Sequence, residues 1–352
     1  MIAHFFSGRC FFGLTGAHPK TYRIVLRVGS YTLPDVEAIG PAIQRGLEFL
    51  GARQMPNGEM PTYVSTSRMM GPQSSPDSTL TSTIAVLYSI RRLAHAAARE
   101  IVAKGNEFLI GEMETPGLWR YWTARTELNI DLDLDDTCLA SFVLRECAPL
   151  RRITANVDLI LAKRNKEGLF YTWFRPPAAR NDIDSVVNAN ALLYLGERPE
   201  TDPVCRYLNR LVLESRVAGS SHYYPGELSF YYALSRSFHQ GVRKLVKAKE
   251  AVLSELARLQ QRDGSFGDSL ATAQGCCCLL NLGHSESRQL FRAVHSVLEN
   301  QRDDGSWPRV SYWAGPEPPQ PHSLFWGAEE ITTALSIECL SRFQIVCEQA
   351  YR

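Results

Sequence analysis

Four aspartates within six positions are the part of the sequence best suited to acid chemistry. Asp131, Asp133, Asp135 and Asp136 stand in the segment NIDLDLDDTCLA, which runs into an apolar stretch. Carboxyl groups this close together cannot all ionise, because each negative charge disfavours the next, so one of them keeps a proton near neutral pH. In an apolar, aromatic-lined cavity, such a protonated carboxyl is a strong acid toward a weak base such as an alkene.

The same aspartates also fit a purely structural role. A carboxyl group at a helix N-terminus accepts hydrogen bonds from free backbone N–H groups and complements the helix dipole. One or two aspartates suffice for such a cap, so capping leaves the other carboxyls of the segment unexplained. Both interpretations place the segment at the start of an apolar helix over 138–144.

That helix belongs to a repeated pattern of two helices joined by a glycine turn. The six turns carry the marker glycines Gly58, Gly117, Gly168, Gly219, Gly264 and Gly305. Their spacing leaves room for two helices of three to four turns plus loops. In each unit the helix after the turn is the more apolar one, as an inner ring inside an outer ring requires. The pattern predicts an all-α fold of six helical hairpins, closed as an (α/α)6 barrel or stacked as an open solenoid.

Two of the turns resemble a known motif. Residues 260–267 read QQRDGSFG and residues 301–308 read QRDDGSWP, and both are similar to the QW repeats of squalene and oxidosqualene cyclases. In that family the glutamine, glycine and aromatic residue tie the end of an outer helix to the next turn. The resemblance implies the closed barrel with inner and outer helix rings, with 1–39 as an N-terminal extension and 40–352 as a single barrel domain.

The acidic segment resembles the DxDD acid motif of class II terpene cyclases, a group similar to squalene-hopene cyclase and copalyl diphosphate synthase. Residues 133–137, DLDDT, carry the match. In that family the middle aspartate protonates a terminal alkene or epoxide. The resemblance therefore implies that Asp135 is the acid, with Asp133 and Asp136 as its hydrogen-bonded and anionic neighbours. The implied enzyme cyclises an isoprenoid through carbocations without a required cofactor, and a magnesium ion is implied only if the substrate is a diphosphate.

Aromatic residues near the predicted inner-helix starts are candidates for contact with the substrate and its carbocations. A desolvated cation gains about 1–2 kcal/mol from the face of an aromatic ring, although most aromatic residues in such a fold simply pack. In the hopene-forming branch a histidine from a later hairpin supports the acid, which makes His222 a candidate for that role, with a surface position as the alternative. The residues predicted to contact substrate are Trp119, Trp122, Trp173, Asp184, His222, Tyr224, Tyr231 and Trp326.

Polar residues also stand at the predicted starts of the other inner helices. Asp77, Asp184 and Asp268 are each explained more readily as helix caps than as catalysts. Together they would form an acidic mouth able to hold a divalent ion or water. Further along the third inner helix, Asn188 and Asn190 are either satisfied buried amides or a polar anchor that points inward.

The resemblance leaves two other functions open. Protein prenyltransferase β subunits share the toroid and hold zinc with an Asp, a Cys and a His, whereas here Asp136 and Cys138 fall inside the acid motif and no matching His-x-x-Tyr follows. The other alternative is a barrel that binds an isoprenoid or a partner protein without catalysis. Because class II cyclases generally pair two barrels, we expect the N-terminal extension, a second copy in a homodimer or another protein to complete the cavity.

Composition restricts the partners and the compartment. The 352 residues include 38 basic and 37 acidic ones, for a formal net charge of +1, which offers no electrostatic footprint for nucleic acid. The nine cysteines are odd in number and unpaired in pattern, which favours free thiols and no metal site. No apolar run of about 18 residues could span a bilayer, and the first 20 residues make a poor signal peptide. We therefore expect a cytoplasmic protein without a transmembrane segment.

Overall fold

The computed structural model describes residues 27–28, 31–32, 36–128, 130–145, 153, 155–176 and 179–350. Twelve α-helices lie in these ranges. Those that precede a glycine turn are α1 (Val36–Arg53), α3 (Ala96–Gly111), α5 (Val157–Leu161), α7 (Asp202–Leu213), α9 (Lys249–Leu259) and α11 (Arg288–Glu299). Those that follow a turn are α2 (Thr81–Ile90), α4 (Leu134–Leu144), α6 (Ser185–Leu195), α8 (Glu227–His239), α10 (Ser269–Asn281) and α12 (Glu329–Ala350).

The helices that follow the turns form a closed inner ring. Helix α2 packs against α4, α4 against α6, α6 against α8, α8 against α10 and α10 against α12, and α12 returns to α2. An open solenoid would leave α2 and α12 apart. The predicted (α/α)6 barrel of six helical hairpins is therefore confirmed.

Burial separates the two rings as the sequence pattern predicts. Every residue of α4 is buried, including the hydrophilic ones, because an inner helix has neighbours on all sides. The outer helix α11 instead buries a stripe that includes Leu290, Ala293, Val294 and Val297. That spacing of three and four residues is the pattern of a helix with one face in water.

Glutamine side chains join three of the six turns to the following outer helix. The Nε2 of Gln301 donates to the carbonyl oxygens of Gly305, at 3.0 Å, and of Ala42 in α1, at 2.9 Å. Gln260 and Gln54 make the same pair of bonds to their own turn and to the next outer helix, at 2.8 to 3.0 Å. At Gly305, where φ is +87°, a Cβ atom would lie 2.4 Å from a carbonyl oxygen of α1, so the close approach requires glycine. The Gln301 bonds close the outer ring between its last and first helices.

The structure contains two groups of short strands that the sequence analysis did not predict. Strands β1 (Arg27–Val28) and β2 (Tyr31–Thr32) form an antiparallel pair. Strands β3 (Thr62–Ser65), β4 (Ser75–Asp77), β5 (Ser311–Gly315) and β6 (Leu324–Gly327) form an antiparallel sheet in the order β4-β3-β6-β5. This sheet joins the segment before α2 to the segment before α12.

Two further expectations concern the ends of the domain and the membrane. The first barrel helix begins at Val36, inside the range assigned to the N-terminal extension, most of which lies outside the described residues. In the part of the chain that the structure describes, no helix has the length and apolar character needed to cross a membrane.

Candidate active site

A cavity of about 520 Å³ lies at the end of the barrel where the inner helices begin. Aromatic side chains form much of its wall, namely Tyr121, Trp122, Trp173, Tyr223, Tyr224, Trp313 and Trp326. Its charged lining residues are Arg120, Asp131, Asp133, Asp135, Asp136, Arg175 and Glu317. The four aspartates singled out in the sequence therefore reach one aromatic cavity.

The four aspartates do different things at the start of α4. Asp133 is the helix cap, because its Oδ1 accepts hydrogen bonds from the backbone N–H groups of Asp135, at 2.6 Å, and Asp136, at 3.0 Å. Asp131 lies at the rim and pairs with Arg175, with 2.5 Å between Oδ2 and Nε. The carboxyls of Asp135 and Asp136, both buried in the first turn of α4, take part in neither the cap nor this ion pair.

Both carboxyl oxygens of Asp135 are held by donors from other hairpins. Asn190 on α6 donates from Nδ2 to Oδ1 at 2.8 Å, and the Tyr224 hydroxyl donates a short hydrogen bond to Oδ2. Burial raises the pKa of Asp135 to about 6, although these two hydrogen bonds and the charge of Arg236 act in the opposite direction. Burial thus favours the protonated carboxyl, while the donors stabilise the anion that forms when the proton leaves.

The carboxyl group of Asp136 lies beside this arrangement. Its side chain is 2% exposed, and within the described residues no group donates a hydrogen bond to it. Burial raises its pKa well above the usual range, and the charges of Asp133 and Asp135 raise it further. Burial, and then the charge of Asp135, also raise the pKa of Asp133. Protons in such a cluster belong to the group as a whole, and burial and mutual repulsion favour its protonated forms.

Asp184, predicted to contact substrate, instead holds two chain segments together. Its Oδ1 caps α6 by accepting from the backbone N–H of Val186 at 2.8 Å. Its Oδ2 accepts from Ser221 Oγ at 2.8 Å and from the backbone N–H of His222 at 2.7 Å. Asp184 does not line the cavity, and its bonds position the segment that carries Tyr224.

The structure brings Tyr224, and not His222, to the carboxyl of Asp135. The His222 Nε2 lies 2.6 Å from the carbonyl oxygen of Pro316. Its ring centroid lies 4.4 Å from that of His322. His222 therefore holds the segment around Pro316, which lines the cavity, but His222 itself is not in the lining. The hydrogen bond to Asp135 comes from a tyrosine two positions later.

Half of the residues predicted to contact substrate line the cavity, namely Trp122, Trp173, Tyr224 and Trp326. Trp119 and Tyr231 pack in the core instead. The Trp119 indole is completely buried and donates to the carbonyl oxygen of Leu109 at 2.8 Å, and the equivalent Trp307 donates to Val297 in the same way at 2.7 Å. Trp119 thus has the structural role of the aromatic residue in the repeated turn.

Asp77 binds two of the cavity tryptophans. Its Oδ2 accepts from Trp122 Nε1 at 3.0 Å and from Trp326 Nε1 at 2.7 Å. The Tyr121 ring lies edge-on to both indoles, with centroids 5.3 and 5.7 Å away. The interpretation of Asp77 as a helix cap is therefore wrong, because it lies in β4 and its carboxylate orients aromatic rings. Asp268 does cap α10, accepting from the backbone N–H of Ala271 at 2.8 Å.

The hairpin formed by β5 and β6 supplies one wall of the cavity. Trp313, Glu317 and Trp326 from this region reach the lining. Arg175 fastens the wall to the opposite rim, since its Nη1 lies 2.6 Å from Glu317 and its Nε pairs with Asp131. One wall of the cavity is thus provided by the barrel itself, while completion of the cavity by the N-terminal extension, a second copy in a homodimer or another protein stays a prediction.

Sequence reasoning missed the charged residues Arg175, Glu317 and Arg236. Arg236 carried a signal, because it interrupts the otherwise apolar run FYYALSRSF of an inner helix. Asp131 and Glu317, the rim carboxylates, are both engaged by Arg175, so they do not present free ligands to a magnesium ion. No group of three potential metal ligands was found among the residues that the structure describes.

Comparison with known proteins places this site in a family context. A family model described as the sesquiterpene cyclase astC-like C-terminal domain matches residues 101–196, which include the aspartates of α4 and Asn190. No curated protein matches the chain in sequence. The apo structure of the type II terpene cyclase MstE from Scytonema aligns with a TM-score of 0.69 and 16% identity, over 89% of this chain and 99% of that chain.

Two more distant structures show how far the fold extends. The ent-copalyl diphosphate synthase from Streptomyces platensis aligns with a TM-score of 0.57 and 17% identity, over 75% of this chain and 50% of that chain. A GH76 α-mannanase from Bacteroides thetaiotaomicron aligns with a TM-score of 0.57 and 10% identity, over 88% of this chain and 97% of that chain. The chain thus shares the fold of the type II terpene cyclase MstE, and residues 101–196 match a sesquiterpene cyclase family model, in line with the predicted resemblance. The same barrel also carries other chemistry, so function must be argued from the site.

Proposed function

We propose that the chain is a class II terpene cyclase in which Asp135 protonates a terminal alkene or epoxide of an isoprenoid. The observation that carries the proposal is the Asp135 carboxyl, which is buried at an aromatic cavity and held at both oxygens by Asn190 and Tyr224. A carboxylate with only a structural role would not need to face a cavity or to lie beside the carboxyls of Asp133 and Asp136.

Two opposing effects act on the Asp135 carboxyl during proton transfer, namely burial and hydrogen bonding. Burial keeps the proton on the carboxyl before substrate binds, because the anion is poorly solvated there. When the O–H bond breaks, the π electrons of the alkene take the proton and negative charge develops on Asp135. The hydrogen bonds from Asn190 and Tyr224 strengthen at that moment, so they stabilise the transition state more than the ground state.

The aromatic wall suits the positive charge that follows. Trp122 and Trp326 present rings whose orientation is fixed by Asp77, and the rings of Trp313 and Tyr224 pack edge-on with centroids 6.2 Å apart. Each well-placed ring is worth about 1–2 kcal/mol to a desolvated cation. The cation is then quenched by deprotonation or by water, which completes the cyclisation.

The substrate class is proposed from the cavity and from the relatives. A variant of MstE is described in complex with geranylgeranyl dihydroxybenzoate as substrate, and another in complex with merosterolic acid A as product. A volume of about 520 Å³ falls in the range of small-molecule sites. We infer that one isoprenoid chain enters the cavity and that its head group stays at the rim near Arg120 and Arg175.

The proposal is tested by incubating the protein with polyprenyl diphosphates, squalene and prenylated dihydroxybenzoates, with mass spectrometry as the readout. We expect a cyclic isomer from the wild type and none from Asp135→Asn. Asp131→Asn, which changes a carboxyl of the same segment at the rim, is the matched control and should still cyclise. An isoprenoid that is retained unchanged by wild type and Asp135→Asn alike would support a binding protein instead.

A further inference from the structure

One arginine lies inside the barrel directly behind the proposed acid. Arg236 on α8 is 5% exposed, and its Nη2 donates to Oδ1 of Asn190 at 2.7 Å. Its guanidinium carbon lies 4.6 Å from the ring centroid of Tyr88 and 4.5 Å from that of Tyr232. Its Nε has no hydrogen-bond partner among the described residues. A charged guanidinium that is buried without a directly bonded carboxylate lowers the stability of the folded protein. Arg236 is therefore a candidate for a functional role.

The carboxylates that balance Arg236 are each reached through one intermediate side chain. On one side, Asn190 connects the guanidinium to Asp135. On the other side, Tyr232 packs on the guanidinium and donates from its hydroxyl to Glu338 at 2.7 Å. Glu338 already has a cation, because Arg342 Nη1 lies 3.3 Å from its Oε1. Glu338 also acts on Arg236, and the charge of Arg236 in turn favours the charged form of Asp135.

Arg236 also determines which way the Asn190 amide faces. An arginine can only donate hydrogen bonds, so the amide oxygen must face Arg236 and the amide NH2 must face Asp135. A reversed amide would present its oxygen to Asp135 and would accept the proton of the acid. With Arg236 in place, that proton cannot be bound by Asn190.

We propose that Arg236 is a positioning residue for the acid of the proposed cyclisation. Through Asn190 it directs the proton of Asp135 toward the cavity, and its buried charge stabilises the carboxylate that remains after the proton has formed a C–H bond with the alkene. The step is balanced, because the substrate gains the positive charge that Asp135 loses with its proton. This inference rests on the proposed function, since it concerns the same acid.

The groups that face Asp135 come from several elements. Asp133 and Asp136 belong to its own segment, Asp184 stands before α6, Tyr224 and Arg236 come from the hairpin of α8, and Tyr312 comes from β5. The acidic groups disfavour a charge on Asp135, whereas Arg236 favours it. Removing Arg236 should therefore make Asp135 hold its proton to higher pH and release it less readily.

The experiment compares Arg236→Met and Arg236→Lys with the wild type by two readouts. One is the pH profile of cyclisation, and the other is the infrared titration of the carboxyl band that Asp135→Asn removes. For Arg236→Met we expect the titration to move up by about one pH unit and the rate at low pH to fall by about tenfold or more. Arg236→Lys, which keeps a charge and a donor, should shift less. An unchanged titration in Arg236→Met would overturn the inference.

The two readouts separate this inference from the proposed function. If no substrate is cyclised, the proposed function fails, while the infrared titration still tests the link from Arg236 to Asp135. If Arg236→Met does not fold, Asn190→Leu removes the same link and should raise the titration of Asp135, and no shift in that variant overturns the inference. Arg309→Met removes a partly buried cation that pairs with Glu329 and is not in the lining of the cavity, and it serves as the control that leaves the Asp135 titration in place.

Discussion

The hydroxyl of Tyr224 donates a short hydrogen bond to Oδ2 of Asp135, and this contact joins the fourth hairpin of the barrel to the second. The tyrosine is itself held in place from behind, because Asp184 accepts hydrogen bonds from the chain segment directly before it. Burial and the charge of Asp135 raise the pKa of Tyr224 well above its usual range, so the phenol stays protonated and acts as a donor. The strength of the proposed acid therefore depends on a residue from another hairpin.

Replacing Tyr224 by phenylalanine should weaken the acid while leaving the ring in the wall. A hydrogen bond to a charged group contributes about 1.5–3 kcal/mol, so the rate of cyclisation should fall by about tenfold to a hundredfold. Because this bond lowers the pKa of Asp135, its loss should move the decline in activity from about pH 6 to higher pH. The pH profile of kcat/KM measures both effects. A profile identical to that of the wild type would mean that Tyr224 does not act on the acid.

Asp136→Asn should stabilise the folded protein at pH 8. The folded-state pKa of Asp136 lies well above its unfolded value, so between these values the folded state binds more protons and stability falls as pH rises. Removing the buried charge should increase the free energy of unfolding by about 1–3 kcal/mol at pH 8. The gain should disappear near pH 4, where the carboxyl is protonated in both states. Denaturant unfolding at the two pH values measures the difference, and a variant that loses stability at pH 8 would contradict the burial argument.

Asp133 should tolerate asparagine better than alanine in stability, because its oxygen caps α4. Asparagine keeps an oxygen that can accept from the backbone N–H groups, whereas alanine leaves those donors unsatisfied and should cost about 1 kcal/mol. Thermal unfolding of Asp133→Asn and Asp133→Ala, measured side by side, provides the comparison. Equal losses in the two variants would show that the cap is not what Asp133 contributes.

Asp77→Leu should change the products more than the initiation of the reaction. Without the carboxylate, the indoles of Trp122 and Trp326 lose their shared acceptor and can rotate away from the cation. We expect a larger fraction of partly cyclised products, measured by mass spectrometry and chromatography, with substrate still consumed. Asp268→Leu removes a cap on α10 outside this cavity and is the control. An unchanged product pattern in Asp77→Leu would mean that these rings do not guide the cations.

The repeat of glycine turns predicted the six helical hairpins, and the resemblance of two turns to the QW repeats then implied their closure into a barrel. Gly58, Gly264 and Gly305 all have positive φ and lie against the backbone of the next outer helix. This contact involves only one hairpin and its neighbour, so it requires a glycine at a fixed place in the local sequence and can be recognised there. The short strands β5 and β6 have no comparable sequence pattern, since they are brief aromatic runs without periodicity.

The acidic motif was also evident from the sequence, whereas the partners of the acid were not. Asn190 and Tyr224 lie 55 and 89 positions from Asp135, and only closure of the ring brings them together. Trp119 and Trp122 are the same residue type three positions apart, yet one packs in the core and the other lines the cavity. Which of the two tryptophans faces the cavity depends on the geometry of the hairpin, and residue type alone does not predict it.

The most direct test of the central claim is to run the cyclisation in heavy water and to locate deuterium in the product. Asp135 exchanges its proton with solvent between turnovers, so we predict that an alkene substrate gives a cyclic product with one deuterium on the alkene carbon that is protonated first, and that Asp135→Asn gives no product. For an epoxide substrate the deuterium would be on oxygen and exchange away, so the test uses the alkene. A cyclic product of an alkene without carbon-bound deuterium, or unchanged turnover by Asp135→Asn, would contradict protonation by Asp135.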